Sequence, residues 1–104
     1  MTTVRLCKLD ELSDNEARRF DVDGFRLAVV RIGDDVFSVS DRCSHEDFSL
    51  SEGEVLPAVC EIECARHGAT FDLKTGQPCS LPATTPVTTY PTTVSDGTIE
   101  VTLP

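Results

Sequence analysis

The sequence predicts an all-β fold built largely from antiparallel hairpins, on three observations. Short β-branched and aromatic runs recur between clusters of turn residues. No stretch keeps a helical period for three turns. Two Asp-Gly pairs, Asp23-Gly24 and Asp96-Gly97, stand between such runs, where a two-residue hairpin loop needs residues that tolerate positive φ.

Val4 to Cys7 reads as a first strand, and Leu9 to Asn15 as a turn or single helical turn broken by Ser13, Asp14 and Asn15. Glu16 to Val22 resumes the β pattern, Asp23-Gly24 reverses the chain, and Phe25 to Ile32 returns. Gly33-Asp34-Asp35 turns into Val36 to Ser40, which completes an antiparallel meander. At the other end, Ser95-Asp96-Gly97 joins Thr88–Val94 to Thr98–Leu103. Pro91 places the first of these two strands at an edge or breaks it, because proline has no N–H to donate. The Thr- and Pro-rich stretch from Leu81 to Thr93 still reads as strand on its Val, Tyr and Thr content. Between the two β-rich ends, Asp41 to Pro82 has more Cys, His, Gly and Pro and weaker alternation, so the chemistry is expected there. Within it Cys60, Ile62 and Cys64 alternate with Glu61 and Glu63 as on a strand, which turns Cys60 inward.

At 104 residues, 39% hydrophobic and 26% charged, the chain fits one soluble domain, residues 1–104. Nine Lys and Arg against 18 Asp and Glu give a formal charge of −9, which repels nucleic-acid phosphates and anionic lipid and favours basic protein partners. The longest aliphatic run, Leu27 to Val30, is far short of a membrane span, and Met1-Thr2-Thr3-Val4 lacks the basic and apolar regions of a signal peptide. A cytoplasmic protein is expected. Five cysteines, Cys7, Cys43, Cys60, Cys64 and Cys79, are an odd number for a disulfide framework, and in a reducing compartment metal binding is the better use.

The decisive pattern is Cys43-Ser44-His45, 18 residues, then Cys64-Ala65-Arg66-His67. Both histidines of the chain follow a cysteine by two or three positions. Each short spacing lets one loop aim two ligands at one centre, and two loops close it, an arrangement that serves structural zinc and iron–sulfur clusters alike. From Glu46 to Glu63 the six acids Glu46, Asp47, Glu52, Glu54, Glu61 and Glu63 occur without a base, as on a solvated acidic surface or a docking face for a basic partner. Cys7 and Cys79 are expected to be partly buried, unligated thiols. No phosphate loop, nucleophile triad or paired-carboxylate motif appears, so catalysis by this chain alone is not expected.

At the Cys-x-His and Cys-x-x-His pairs the chain resembles the Rieske iron–sulfur family. The likeness extends to Gly68 after the second His, Phe71, the Lys74-Thr75-Gly76 turn and Leu81-Pro82, so that with the flanking β segments it covers nearly the whole chain. It implies a β-sandwich or barrel-like base with an inserted cluster-binding subdomain at about 41–82. It also implies one [2Fe-2S] cluster per chain, with Cys43 and Cys64 on one iron and His45 and His67 on the other, and Gly68, Ala69 and Phe71 lining the site. Glu46, Asp47 and Arg66 would then flank the ligands and meet a partner.

Departures from the family's high-potential branch are informative. That branch has two extra loop cysteines that form a disulfide; Phe48 and Arg66 stand at those positions here. Where it has a Ser and a Tyr donating to the cluster, Ala69 and Phe71 have no side-chain donor. Fewer donors and nearby acids disfavour an added electron, which implies a potential near the lower end of the Rieske range, about −150 mV. The resemblance is therefore to soluble ferredoxins that carry electrons from a flavoprotein reductase to a ring-hydroxylating terminal oxygenase. An accessory Rieske protein of iron–sulfur assembly or another reductase system is the alternative within the family, and a structural zinc domain the alternative outside it.

Overall fold

A computed structural model describes residues 2–42, 49–64, 68–79 and 85–104. Strands β1 (Thr2–Lys8), β2 (Glu16–Val22), β3 (Phe25–Ile32) and β4 (Asp35–Ser40) come first, with a short 3-10 turn at Leu9–Glu11 between β1 and β2. A second 3-10 turn at Leu50–Glu52 leads to three short strands, β5 (Glu54–Leu56), β6 (Glu61–Glu63) and β7 (Thr70–Asp72). Then come β8 (Thr89–Tyr90), β9 (Thr92–Ser95) and β10 (Thr98–Leu103). Among the described residues these form three antiparallel sheets, ordered β1-β10-β9, β2-β3-β4-β8 and β5-β6-β7. No helix among them is long and apolar enough to cross a membrane.

The hairpin turns lie where their residues demand. Asp23 and Gly24 have φ of 49° and 82°, and Asp96 and Gly97 have 51° and 75°, the left-handed pair that matches the twist of the flanking strands. The strand expected over Thr88–Val94 is cut at Pro91, and its halves pair with different sheets, β8 with β4 and β9 with β10. Proline supplies no N–H for a continuous ladder, so the chain changes sheets there.

The run Leu27 to Val30 is apolar at every position because β3 is covered on both faces. Leu27 and Val29 pack with Leu12, beyond the first 3-10 turn, and with Ile99, Val101 and Leu103 of the terminal sheet. Ala28 and Val30 pack on the opposite face with Leu50, Ile62, Cys64 and Phe71. All four are fully buried, and each of the three larger ones contributes about 1.5 to 3 kcal/mol by leaving water. The β5–β7 sheet is thus seated on the base through a shared core, and that core fixes the roots of the ligand loops.

Candidate metal centre

The first Cys-x-His pair lies in residues 43–48, whose two stems are described. The stems are joined by an antiparallel bridge between Arg42 and Ser49. The Leu50 amide donates to the Asp41 carbonyl at 2.7 Å, and the Asp41 amide donates to the Arg26 carbonyl of β3 at 3.0 Å. Asp41 is completely buried, and a buried carboxylate demands partners. It accepts hydrogen bonds from the Ser49 hydroxyl and, at 2.7 Å, from the Ser51 amide. Arg19 and Arg26 bring guanidinium nitrogens to 3.8 and 3.9 Å from its Oδ2.

The second pair begins at Cys64, immediately after β6. The Cys64 amide donates to the Ala69 carbonyl at 2.7 Å, and the Gly68 amide donates back to the Cys64 carbonyl at 2.9 Å, so the two ends of the second pair's segment are tied to each other. Gly68 sits at φ 71°, a conformation that costs a residue with a Cβ. Cys64, Ala69 and Phe71 are fully buried in one core cluster, whereas Gly68 is exposed.

Two contacts bring the roots of both loops together. Leu50, at the exit of the first loop, is buried in the same cluster as Cys64. Gly53 lies so close to β6 that a Cβ on it would fall 1.8 Å from the Glu63 carbonyl oxygen, so no other residue fits there without moving the strand that ends at Cys64.

Of the expected site residues, the structure thus gathers Cys64, Gly68, Ala69 and Phe71 at one loop root. Cys43, His45, Glu46, Asp47, Arg66 and His67 lie outside the described residues, as do Phe48 and Leu81-Pro82. Lys74-Thr75-Gly76 forms the expected turn, with the Asp72 carboxylate accepting from the Lys74 and Thr75 amides at 2.7 and 3.2 Å.

The other thiols differ in detail from expectation. Cys60 does pack against the core, but it belongs to a turn at φ 56° rather than to the strand, because the chain must reverse between β5 and β6. Burial pushes its thiol pKa up. Cys7 is half-buried as expected, whereas Cys79 is exposed at the edge beyond β7, its amide donating to the Thr70 carbonyl. Desolvation, then a hydrogen bond with Glu61, raises the Cys79 thiol. All three are free thiols.

Acid dominates the outer face of the small sheet. Register places Glu54 opposite Glu63 and Glu61 opposite Asp72, and no ion pair to these four carboxylates occurs among the described residues. Sequence reasoning did not single out Asp41, Ser49 or Gly53, although all three shape the site. The available signal was weak: an acid two residues before the first Cys and a hydroxyl eight residues beyond that acid.

Comparison with known proteins agrees with this arrangement. The family model for the Rieske [2Fe-2S] domain matches residues 2–91. The ferredoxin subunit of 3-phenylpropionate/cinnamic acid dioxygenase from Escherichia coli K12 is 39% identical over 104 residues, which span all of this chain and 96% of that protein. The ferredoxin of carbazole 1,9a-dioxygenase from Nocardioides aromaticivorans IC177 superposes with a TM-score of 0.94 at 40% identity, covering 97% of each chain. A ferredoxin solved in complex with the oxygenase of carbazole 1,9a-dioxygenase matches at 34% identity and a TM-score of 0.88, covering 95% of this chain and all of that one. With its hairpin base, its two closed loop roots and a family match over most of its length, the chain belongs to the Rieske [2Fe-2S] domain family.

Proposed function

We propose that this chain is a one-electron carrier, taking electrons from a flavoprotein reductase and delivering them to a terminal oxygenase of the ring-hydroxylating kind. The observation that carries the reading is full-length similarity to ferredoxin subunits of dioxygenases. Cys43 and Cys64 would hold one iron and His45 and His67 the other, in one cluster per chain. The cluster-binding subdomain would be residues 41–82, and the protein would work in the cytoplasm. The described residues fit such a group: the Cys64 position is buried and the chain emerges at Gly68, which suits a sheltered thiolate end and an imidazole end open to partners. When bound, a Rieske cluster supplies reversible one-electron chemistry at a potential raised by two neutral imidazoles in place of thiolates.

This chain's residues contribute shelter and orientation. Ala69 and Phe71 keep water from the Cys64 side, and the backbone bonds between Cys64, Gly68 and Ala69 tie the two ends of the second pair's segment. Glu46, Asp47 and Arg66 would flank the ligands at the docking face.

The test is anaerobic purification with iron, sulfide and zinc counted, followed by visible absorption and low-temperature EPR. Two irons, two sulfides and a reduced signal with average g below that of all-cysteine clusters are expected, as is oxygenase turnover dependent on the chain. A colourless protein with one zinc overturns the carrier reading, and a cluster that no dioxygenase reductase reduces points to the accessory role.

A further inference from the structure

Asp41 is the most deeply buried charged group described, and nothing in the ligand pattern accounts for it. It follows β4 directly, two residues before Cys43, and its partners come from both sides of the segment that carries Cys43 and His45. On the near side its amide is held by the Arg26 carbonyl at 3.0 Å. On the far side it takes three donors: the Leu50 amide on its carbonyl, and the Ser49 hydroxyl and Ser51 amide on its carboxylate. The second carboxylate oxygen also faces Arg19 of β2 and Arg26 of β3 at 3.8 and 3.9 Å. One buried side chain therefore ties the loop's exit to its entrance and ties both to the base. Its burial makes the tie stiff, because no water competes for a carboxylate with zero exposure.

We infer that Asp41 is a positioning residue for the cluster, a latch that closes the first ligand loop before the metal arrives and sets where Cys43 and His45 stand relative to Cys64. The inference rests on the reading of Cys43 and His45 as ligands. Its reach to the second loop is through Leu50, which follows the latched Ser49 and is buried beside Cys64. Opening the latch frees the Ser49 hydroxyl and the Ser51 amide and loosens Leu50 where it packs beside Cys64. The chain then spends part of its time with the two ligand pairs out of register, and a cluster held by two pairs is lost whenever one pair departs.

The experiment compares the full chain, reconstituted anaerobically, with Asp41→Ala, Asp41→Asn and Ser49→Ala, and with Val101→Ala as a control in the core between β3 and the terminal sheet. Iron release to a ferrous chelator is followed in the reduced proteins, with EPR of the same samples and thermal unfolding by far-UV circular dichroism. Asp41→Ala is expected to release iron at least tenfold faster than wild type and to broaden the EPR lines. Asp41→Asn keeps an acceptor oxygen for the Ser51 amide and should fall between Asp41→Ala and wild type, as should Ser49→Ala. Val101→Ala should lower the unfolding temperature while leaving release and line shape near wild type. Release from Asp41→Ala within twofold of wild type overturns the latch, and so does equal acceleration in Val101→Ala, which would make the effect one of general stability. Failure of the ligand reading looks different: wild type itself would lack two irons and two sulfides. Hydrogen exchange on the metal-free chain then reads the latch directly, the Ser51 amide, which donates to the Asp41 carboxylate, being protected in wild type and at least tenfold faster in Asp41→Ala; equal exchange in the two proteins also overturns it.

Discussion

At the scale of single residues, the structure makes a sharp statement about Glu16, which opens β2. Its Oε1 accepts the Ser13 amide at 2.7 Å, and its Oε2 accepts Nε and Nη2 of Arg18 at 3.2 and 3.0 Å. The Ser13 bond is the largest cause, and Arg18 a further one, holding this carboxyl below the usual carboxylate range. A depressed folded pKa means that the unfolded chain binds the proton more readily, so the contribution is fully present above the unfolded value, about 4.3. It is lost as pH falls through the lower folded value. Glu16→Gln removes the charge but keeps the shape, so it is expected to lower the melting temperature at pH 7 by a small amount. That gap should narrow as the pH of the melts is taken below about 4.3, where the unfolded chain begins to bind the proton first. A gap that stays constant as pH falls below about 4.3 would show that the charge on Glu16 contributes nothing.

At the scale of elements, the small sheet carries a cost that its register explains. Glu54 faces Glu63 and Glu61 faces Asp72 across adjacent strands, and like charges directly opposite one another are destabilising. Glu54 is exposed, and Glu54→Lys turns one repulsion into an attraction. The expected gain is about 0.5 to 1 kcal/mol in urea unfolding at low ionic strength, shrinking toward zero in 1 M salt; no gain at low salt would mean that Glu63 already turns away. How the chain was read follows the same division between local and distant causes. The hairpins at Asp23-Gly24 and Asp96-Gly97 were legible because turn chemistry is written in two adjacent residues, and the Cys-x-His and Cys-x-x-His spacing was legible for the same reason. Pro91 announced a break but not that the halves join different sheets, since pairing partners lie far away in sequence. Cys60 looked like a strand residue because alternation does not reveal where a turn takes a positive φ. Asp41 stayed silent because a lone acid acquires meaning only when Ser49, Ser51, Arg19 and Arg26 converge on it.

At the scale of the whole molecule, the three sheets and the net charge of −9 act together. The β5–β7 sheet lies directly against the root of the second ligand loop and presents Glu54, Glu61, Glu63 and Asp72, whereas the turn carrying Asp96 joins β9 to β10 in the terminal sheet. A field of this sign steers a basic partner surface, and at 0.1 M salt it is screened over about 10 Å. Charges beside the loops should therefore govern association more than equal charges on the terminal sheet. Stopped-flow reduction of the chain by the flavoprotein reductase is expected to slow about tenfold or more as ionic strength rises from 10 to 300 mM, if the steering has the usual size. Glu54→Gln combined with Glu63→Gln should lower the rate at low salt and flatten its salt dependence, while Asp96→Asn should leave both near wild type. The reason lies in distance: a neutralised charge matters when the partner's cation comes within a screening length of it in the encounter. Equal flattening by Asp96→Asn would mean that the partner senses only total charge, and a rate indifferent to salt would mean that recognition at the loops is apolar and the acidic sheet serves solubility alone.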